Sequence, residues 1–273
     1  MSWSTPLLGF AAGALISTAT TPVGVSGAVF LLPVQLSVLA VPSPAVTPTN
    51  LLFNVVAGPG ALLRYRRHGT LAGPLTRLLL AGTLPGVVAG AAIRVFAVPG
   101  PRAFRLIVAA LLLPLGVWLC LRALRPARRA RQVGNRDWPS SFGGPAGPSP
   151  RAVTGLALLV GVIGGIYGIG GGSILGPILV GLGMSVARVA PAALASTFVT
   201  SIAGALTYWL LALAVPGSVA PTWTVGLACG LGGLLGGYAG ARLQPHLPER
   251  GLRLLLGALA SALAVFYLHQ ATA

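Results

Sequence analysis

Hydrophobic residues gather along this chain in eight blocks, at about 6–41, 44–63, 72–98, 103–124, 151–183, 187–215, 221–243 and 251–270. A helix needs roughly 20 apolar residues to cross a bilayer. Six of the blocks are near that length and predict single spans. The first and fifth are too long for one crossing, and each carries a glycine-rich interruption near its middle, GVSG at 24–27 and GIGGG at 168–172. Glycine turns a chain at no steric cost, and in lipid a broken backbone persists only when it is buried in protein or faces a cavity. Each long block is therefore expected to be a hairpin of two short helices, with Gly27 and Gly171 among the positive-φ residues of the turns.

Charge tests that division. If all eight blocks were simple spans, arginines would divide 11 to 7 between the two sides. If blocks one and five return to their side of origin, those at 64–77, 122–151, 188 and 242–253 share one side, 15 in all, leaving Arg94, Arg102 and Arg105 on the other. The second split obeys the positive-inside rule far better and places both termini outside. Composition agrees: 55% of the 273 residues are hydrophobic and 7% charged, against roughly a quarter charged in soluble domains. The formal net charge of +16 would suggest nucleic acid in a soluble protein. Here the basic runs lie between apolar blocks with little aromatic interleaving, which argues against nucleic-acid binding. A multi-pass protein of the cell membrane is expected, in contact with membrane lipids, and a homo-oligomer is left open.

The halves repeat each other. GVSGAVFLLP at 24–33 matches GIGGGSILGP at 168–177; GALL at 60–63 matches GALT at 204–207; GTLPGVVAGA at 82–91 matches GGLLGGYAGA at 232–241; PRAFRL at 101–106 matches ERGLRL at 249–254. Four landmarks in the same order indicate an internal duplication. With one hairpin and three spans per half, the second half starts from the opposite side. The expected fold is an all-α polytopic membrane protein with an inverted-topology internal repeat, each half a broken-helix hairpin plus three transmembrane helices. Residues 1–124 form the first membrane repeat, 125–150 a basic, Pro/Gly-rich cytoplasmic linker, and 151–273 the second repeat. Transporters of this build hold solute near the midplane, where broken helices meet.

The Gly-rich hairpin followed by Pro, the TN..FN run at 49–54, and GIGGGSILGPIL with ASTFVTSIAGALTYW at 195–209 resemble the TauE/SafE family. That resemblance spans nearly the whole chain and implies an integral membrane permease for a small anionic solute such as sulfite or an organosulfonate.

An anion needs hydrogen-bond donors, and the backbone N–H groups at a helix start supply them together with the positive end of the helix dipole. Gly24, Val25, Ser26 and Gly27 lie where the second helix of hairpin one would begin, and Gly170, Gly171, Gly172 and Ser173 do so in hairpin two. The same glycines serve equally well as tight turns and packing positions. Asn50 and Asn54 share a helix face at i, i+4 and are expected to line the passage. Thr197 and Ser201 have the same spacing and are candidates for the lining too, although for them interhelical hydrogen bonding is the preferred role. Gln35 is a weaker candidate. The glycine rows Gly82, Gly86, Gly90 and Gly232, Gly236, Gly240 have the spacing of closely packed helices.

The only acids, Asp137 and Glu249, fall between spans, so coupling through a buried carboxylate is excluded. The two cysteines, Cys120 and Cys229, sit inside apolar blocks and imply neither a disulfide nor a metal, and no cofactor is called for. Two other readings stand beside transport. GVSG at 24–27 also fits an intramembrane serine protease with Ser26 as nucleophile and His269 as the base, but the repeat accounts for it as a turn. A membrane scaffold without transport would use the same glycine rows.

Overall fold

The structure is a computed structural model that describes residues 4–42, 45–66, 71, 73–97, 149–182, 184–214 and 220–272, with scattered positions between 106 and 124. The linker up to residue 148, with its arginines, and Arg102 and Arg105 lie outside the described residues, and the fourth block is covered only in part.

Every regular element among the described residues is helical. The order is α1 (Ser4–Thr20) with a 3₁₀ turn (Thr21–Val23), α2 (Ala28–Ser37), α3 (Val46–Arg66), α4 (Pro74–Phe96), α5 (Pro150–Tyr167), α6 (Gly172–Gly181), α7 (Val186–Ala214), α8 (Trp223–Leu243) with a second 3₁₀ turn (Gln244–His246), and α9 (Glu249–Thr272). Among the described residues six stretches are long and apolar enough to cross a membrane: Ser4–Val23, Val46–Arg66, Pro74–Phe96, Val186–Ala214, Trp223–His246 and Arg250–Gln270. Five coincide with blocks expected to be single spans. The first does not.

Local chemistry sets the ends. Ser149 caps α5 by accepting a hydrogen bond from the Ala152 amide at 3.2 Å, and Pro150 opens the helix, where its missing N–H costs nothing. Gly24 (φ +78°) and Gly168 (φ +68°) stop the first limbs of the two hairpins in the left-handed conformation, which only glycine enters freely. Positive φ is found at Gly24, Gly168 and Gly170, whereas Gly27 (φ −56°) and Gly171 (φ −64°) are right-handed residues that begin α2 and α6. The turns therefore fall a few residues earlier than expected. The hairpins also differ from two short helices: α1 and α5 have 17 and 18 residues, α2 and α6 only 10. At 1.5 Å per residue the return limbs reach about 15 Å, half a bilayer. The first hairpin does double back, because Gly27 lies against Ile16 and Ser17, and Leu39 against Gly9.

Glycine rows set the packing. A Cβ on Gly232, Gly236 or Gly240 would stand 1.9, 2.1 or 2.7 Å from the carbonyls of Phe10, Ala14 and Thr18, so α8 lies backbone to backbone on α1. Gly82, Gly86 and Gly90 press α4 in the same way on Thr154, Leu158 and Val162 of α5. Residue numbers rise together across both contacts, so both pairs are parallel. Gly226 meets Thr49 and Leu52, and Gly60 meets Leu234, which makes α3 parallel to α8 as well. Across α3 and α7 the order reverses, since Gly58 meets Phe198 and Gly204 meets Leu51. Helices α1, α3 and α8 thus point one way. The pairing of Thr83 with Ser196, and of Val87 with Gly204, makes α7 parallel to α4, so α4, α5 and α7 point the other way.

The outside is apolar, with Leu7, Leu15, Trp209, Leu213 and Leu235 exposed, while Ser17, Asn50, Asn54, Thr83, Ser196, Thr197, Thr200 and Ser201 are buried. Polar groups inside and apolar side chains outside are what lipid demands.

Close backbone contact gives a direct test. Gly232→Leu must push α8 off α1, at a cost of about 1–3 kcal/mol, and is expected to abolish monodisperse protein in size-exclusion chromatography. Gly155→Leu, where a Cβ meets nothing within 4 Å, should behave as wild type.

Candidate functional site

The two helix breaks meet at Asn54. Its Oδ1 accepts a hydrogen bond from the Ser26 hydroxyl in the first break, and its Nδ2 donates to the Gly168 carbonyl at 3.5 Å, where the second break begins. Ser26 Oγ also accepts from the Ala28 amide at 3.2 Å, capping α2. One turn earlier, Asn50 donates from Nδ2 to the Ala28 carbonyl at 2.9 Å, and its Oδ1 is buried without a partner. Both asparagines of α3 therefore hold the hairpins.

A cavity of about 30 Å³ opens beside this junction, lined by Ser17, Thr21, Ser26, Gly27, Asn54 and Thr197 on its polar side and by Phe53, Ala57, Leu194 and Phe198 among its apolar neighbours. That is room for roughly one or two water molecules. On α8 its wall is made by Gly233 and Gly237. Four expected residues, Ser26, Gly27, Asn54 and Thr197, come together here.

The others are arranged differently. A Cβ at Gly170 would stand 2.7 Å from Thr197 Cγ2, at Gly171 2.6 Å from Thr83 Cγ2, and at Gly172 1.9 Å from the Ala193 carbonyl. Protein atoms thus fill the space a ligand would need at the second break. Gly171 N donates to Thr200 Oγ1 at 3.3 Å, while Ser173 Oγ donates to the Ile169 carbonyl at 2.8 Å and lies 3.3 Å from Thr197 Oγ1. Ser201 Oγ, fully buried, makes no hydrogen bond and faces Gly170. Gln35 is fully buried away from this cavity. Gly24 packs on Ala190 of α7, and Gly168 on the Thr47 carbonyl of α3. The breaks differ in what fills them: Thr83 stands at the place of Gly233 in the repeat and packs on Gly171, whereas at the first break the Phe53 ring lies against Gly233 and Gly27.

Sequence reasoning passed over several residues. The polar run Ser17, Thr18, Thr20 and Thr21 just before the first break was the available signal for the cavity wall. Thr83, which lies 3.0 Å from Ser196 Oγ, was hidden inside a glycine row. The Ser26 hydroxyl is engaged with Asn54 and the Ala28 amide rather than with an imidazole.

Comparison with known proteins fits this architecture. The family described as Sulfite exporter TauE/SafE matches residues 8–267. The chain belongs to the TauE/SafE family. Among curated proteins, the "Probable membrane transporter protein YunE" of Bacillus subtilis (strain 168) is 27% identical over 264 residues, covering 89% of this chain and 92% of that one. No solved structure matches significantly. This TauE/SafE protein is accordingly a multi-pass membrane transporter, and its helix breaks and buried hydroxyls are features of a transporter interior.

Asn54 serves both hairpins, so its loss should cost stability as well as flux. Asn54→Leu removes the buried acceptor of the Ser26 hydroxyl proton and the side-chain donor to the Gly168 carbonyl, and each such loss is worth about 1–3 kcal/mol. Thermal unfolding in detergent should show a marked drop. A double-mutant cycle with Ser26→Ala should return a coupling of about 0.6–1.7 kcal/mol, the range for interhelical hydrogen bonds in membrane proteins. A coupling of zero would mean the contact contributes nothing.

Proposed function

We propose that this protein is a permease of the cell membrane that carries a small anion, sulfite or an organosulfonate, through a central passage between two inverted repeats. The observation that carries the proposal is the convergence of both helix breaks on Asn54 beside a cavity lined by hydroxyl, amide and glycine backbone, in a chain with no acid inside any of its candidate spans. Such a lining offers donors to an anion and no carboxylate to repel it. The family description and the relative's name support the solute class and the activity.

The helix directions support the inverted repeat. Exchanging α1 with α5, α3 with α7 and α4 with α8 turns the α1–α8 contact into the α5–α4 contact and leaves α3–α7 in place. It also reverses every direction, as inversion requires. The Gly24 contact on α7 and the Gly168 contact on α3 exchange in the same operation.

At about 30 Å³ the cavity is smaller than an organosulfonate, so the solute enters when the hairpins move apart. The Ser26 hydroxyl, whose partners hold a helix break, supports transport over proteolysis.

Two experiments test the proposal. In proteoliposomes the purified protein should move sulfite saturably, and Gly27→Val, which crowds Ser17 and Phe53 at the cavity wall, should abolish that flux. Sulfite, sulfate, sulfonates and carboxylates all failing to cross would refute the solute class. Single cysteines at Phe96 and Trp223, in a background without Cys120 and Cys229, should label from the outside, and cysteines at Arg66 and His246 only from the inside. Phe96 and Trp223 labelling from opposite sides would overturn the hairpin topology.

A further inference from the structure

The parallel pair α4 and α5 carries a groove on the face that looks away from the protein. Its volume is about 460 Å³, and Ala81 and Pro85 of α4 line it together with Arg151, Gly155 and Leu158 of α5. Pockets of about 300–1,000 Å³ hold small organic molecules. Small residues make the room: Ala81 and Gly155 are exposed, and a Cβ on Gly155 would meet nothing within 4 Å. One end of the groove is charged. Arg151 is the second residue of α5, and Arg77 stands one turn before Ala81 on the same face of α4. Because Gly82 packs on Thr154 in a parallel pair, the two arginines stand within about 3 Å of the same height along the helices. Both are exposed, and neither is held by a hydrogen bond or ion pair to another described residue.

The other close helix pair, α1 with α8, is built differently at the matching positions. When Gly24 is laid on Gly168 and Gly82 on Gly232, Arg151 falls on Leu7 and Arg77 on Leu227. Ala81, Pro85 and Thr154 fall on Leu231, Leu235 and Phe10, and all five of these counterparts are exposed. Bulky apolar side chains therefore stand in that valley, with no charge at its end. Of the two valleys, the one between α4 and α5 combines room with positive charge. From Arg151 to Leu158 it runs about 10 Å along the helix, inside the roughly 15 Å of one leaflet's hydrocarbon. Arginine stems at helix ends reach headgroup level while their neighbours stay among the tails.

We infer that the α4–α5 groove is a binding site for one anionic phospholipid, with its phosphate on Arg77 and Arg151 and an acyl chain along Ala81, Gly155 and Leu158. Guanidinium groups bind phosphate through parallel N–H···O bonds, and basic pockets between membrane helices on the cytoplasmic side suit such headgroups. A zwitterionic lipid brings its own cation beside the phosphate and gains less from two arginines. The groove selects for a tail as well, since its walls below the arginines are aliphatic or glycine. That this end lies in the inner leaflet rests on the topology proposed above, whereas the lipid site is measured in detergent without it.

For the test, the full-length protein is delipidated in detergent and titrated with phosphatidylglycerol or phosphatidylcholine of equal chain length, and bound lipid is counted by native mass spectrometry. The first phosphatidylglycerol should bind wild type about tenfold more tightly than phosphatidylcholine, as two arginines near an anionic headgroup should achieve. Arg77→Gln with Arg151→Gln should bring the two lipids to equal affinity. Arg66→Gln with Arg242→Gln, which removes two exposed charges at the ends of α3 and α8, should keep the preference. Ala81→Leu with Gly155→Leu fills the groove and should weaken both lipids. Equal affinities in wild type overturn the inference, as does a preference that survives the loss of Arg77 and Arg151 or disappears equally with Arg66 and Arg242. So does displacement of the lipid by glycerol phosphate alone, which would show a headgroup site without a tail groove. A wild-type dimer that Ala81→Leu with Gly155→Leu dissolves would also overturn it, because a second copy would then fill the groove. Phe96 and Trp223 labelling from opposite sides would refute the proposed topology and leave the lipid site in place.

Discussion

In hydrocarbon no water is present to accept a hydrogen bond from a broken helix, and that constraint governs the centre of this protein. Each hairpin interrupts its backbone ladder at a left-handed glycine, leaving carbonyls and amides that only protein can satisfy. Asn54 answers for both breaks at once, through Ser26 on one side and the Gly168 carbonyl on the other. Asn50, Tyr65, Tyr208, Thr47 and Gln244 each hold one further carbonyl of the same two hairpins. The buried polar residues are therefore placed by the breaks, and the polarity that suits a solute comes with the polarity that makes the breaks tolerable.

Much of this was legible in the chain. Block lengths and glycine interruptions located the helices and both breaks, because helix length in lipid is set by bilayer thickness and a buried turn requires glycine. The glycine rows announced their contacts because a Cβ at Gly232 or Gly86 has no room. Which glycines turn was misjudged by a few residues. The left-handed residue ends the first limb at Gly24 and Gly168 rather than beginning the second, and composition does not distinguish the two ends of a turn.

The site was legible only in part. Asn54 stood out as an amide in an apolar block, but its link to a carbonyl more than a hundred residues away is a product of tertiary packing. Gly170, Gly171 and Gly172 looked open to a ligand, yet Thr197, Thr83 and the Ala193 carbonyl occupy that space. Thr83 was missed because its meaning depends on what stands opposite it in the repeat, Gly233. The informative signal lies in where the two halves differ rather than in where they agree.

The glycine rows also decide which parts of the molecule belong together mechanically. Helix α1 is joined by backbone contact to α8, and α5 to α4, so each rigid pair draws one member from either side of the 125–150 linker. The tightest helix contacts therefore join the two halves of the chain rather than stay within either. Severed at the linker, either piece would bare a groove shaped for a helix it does not encode.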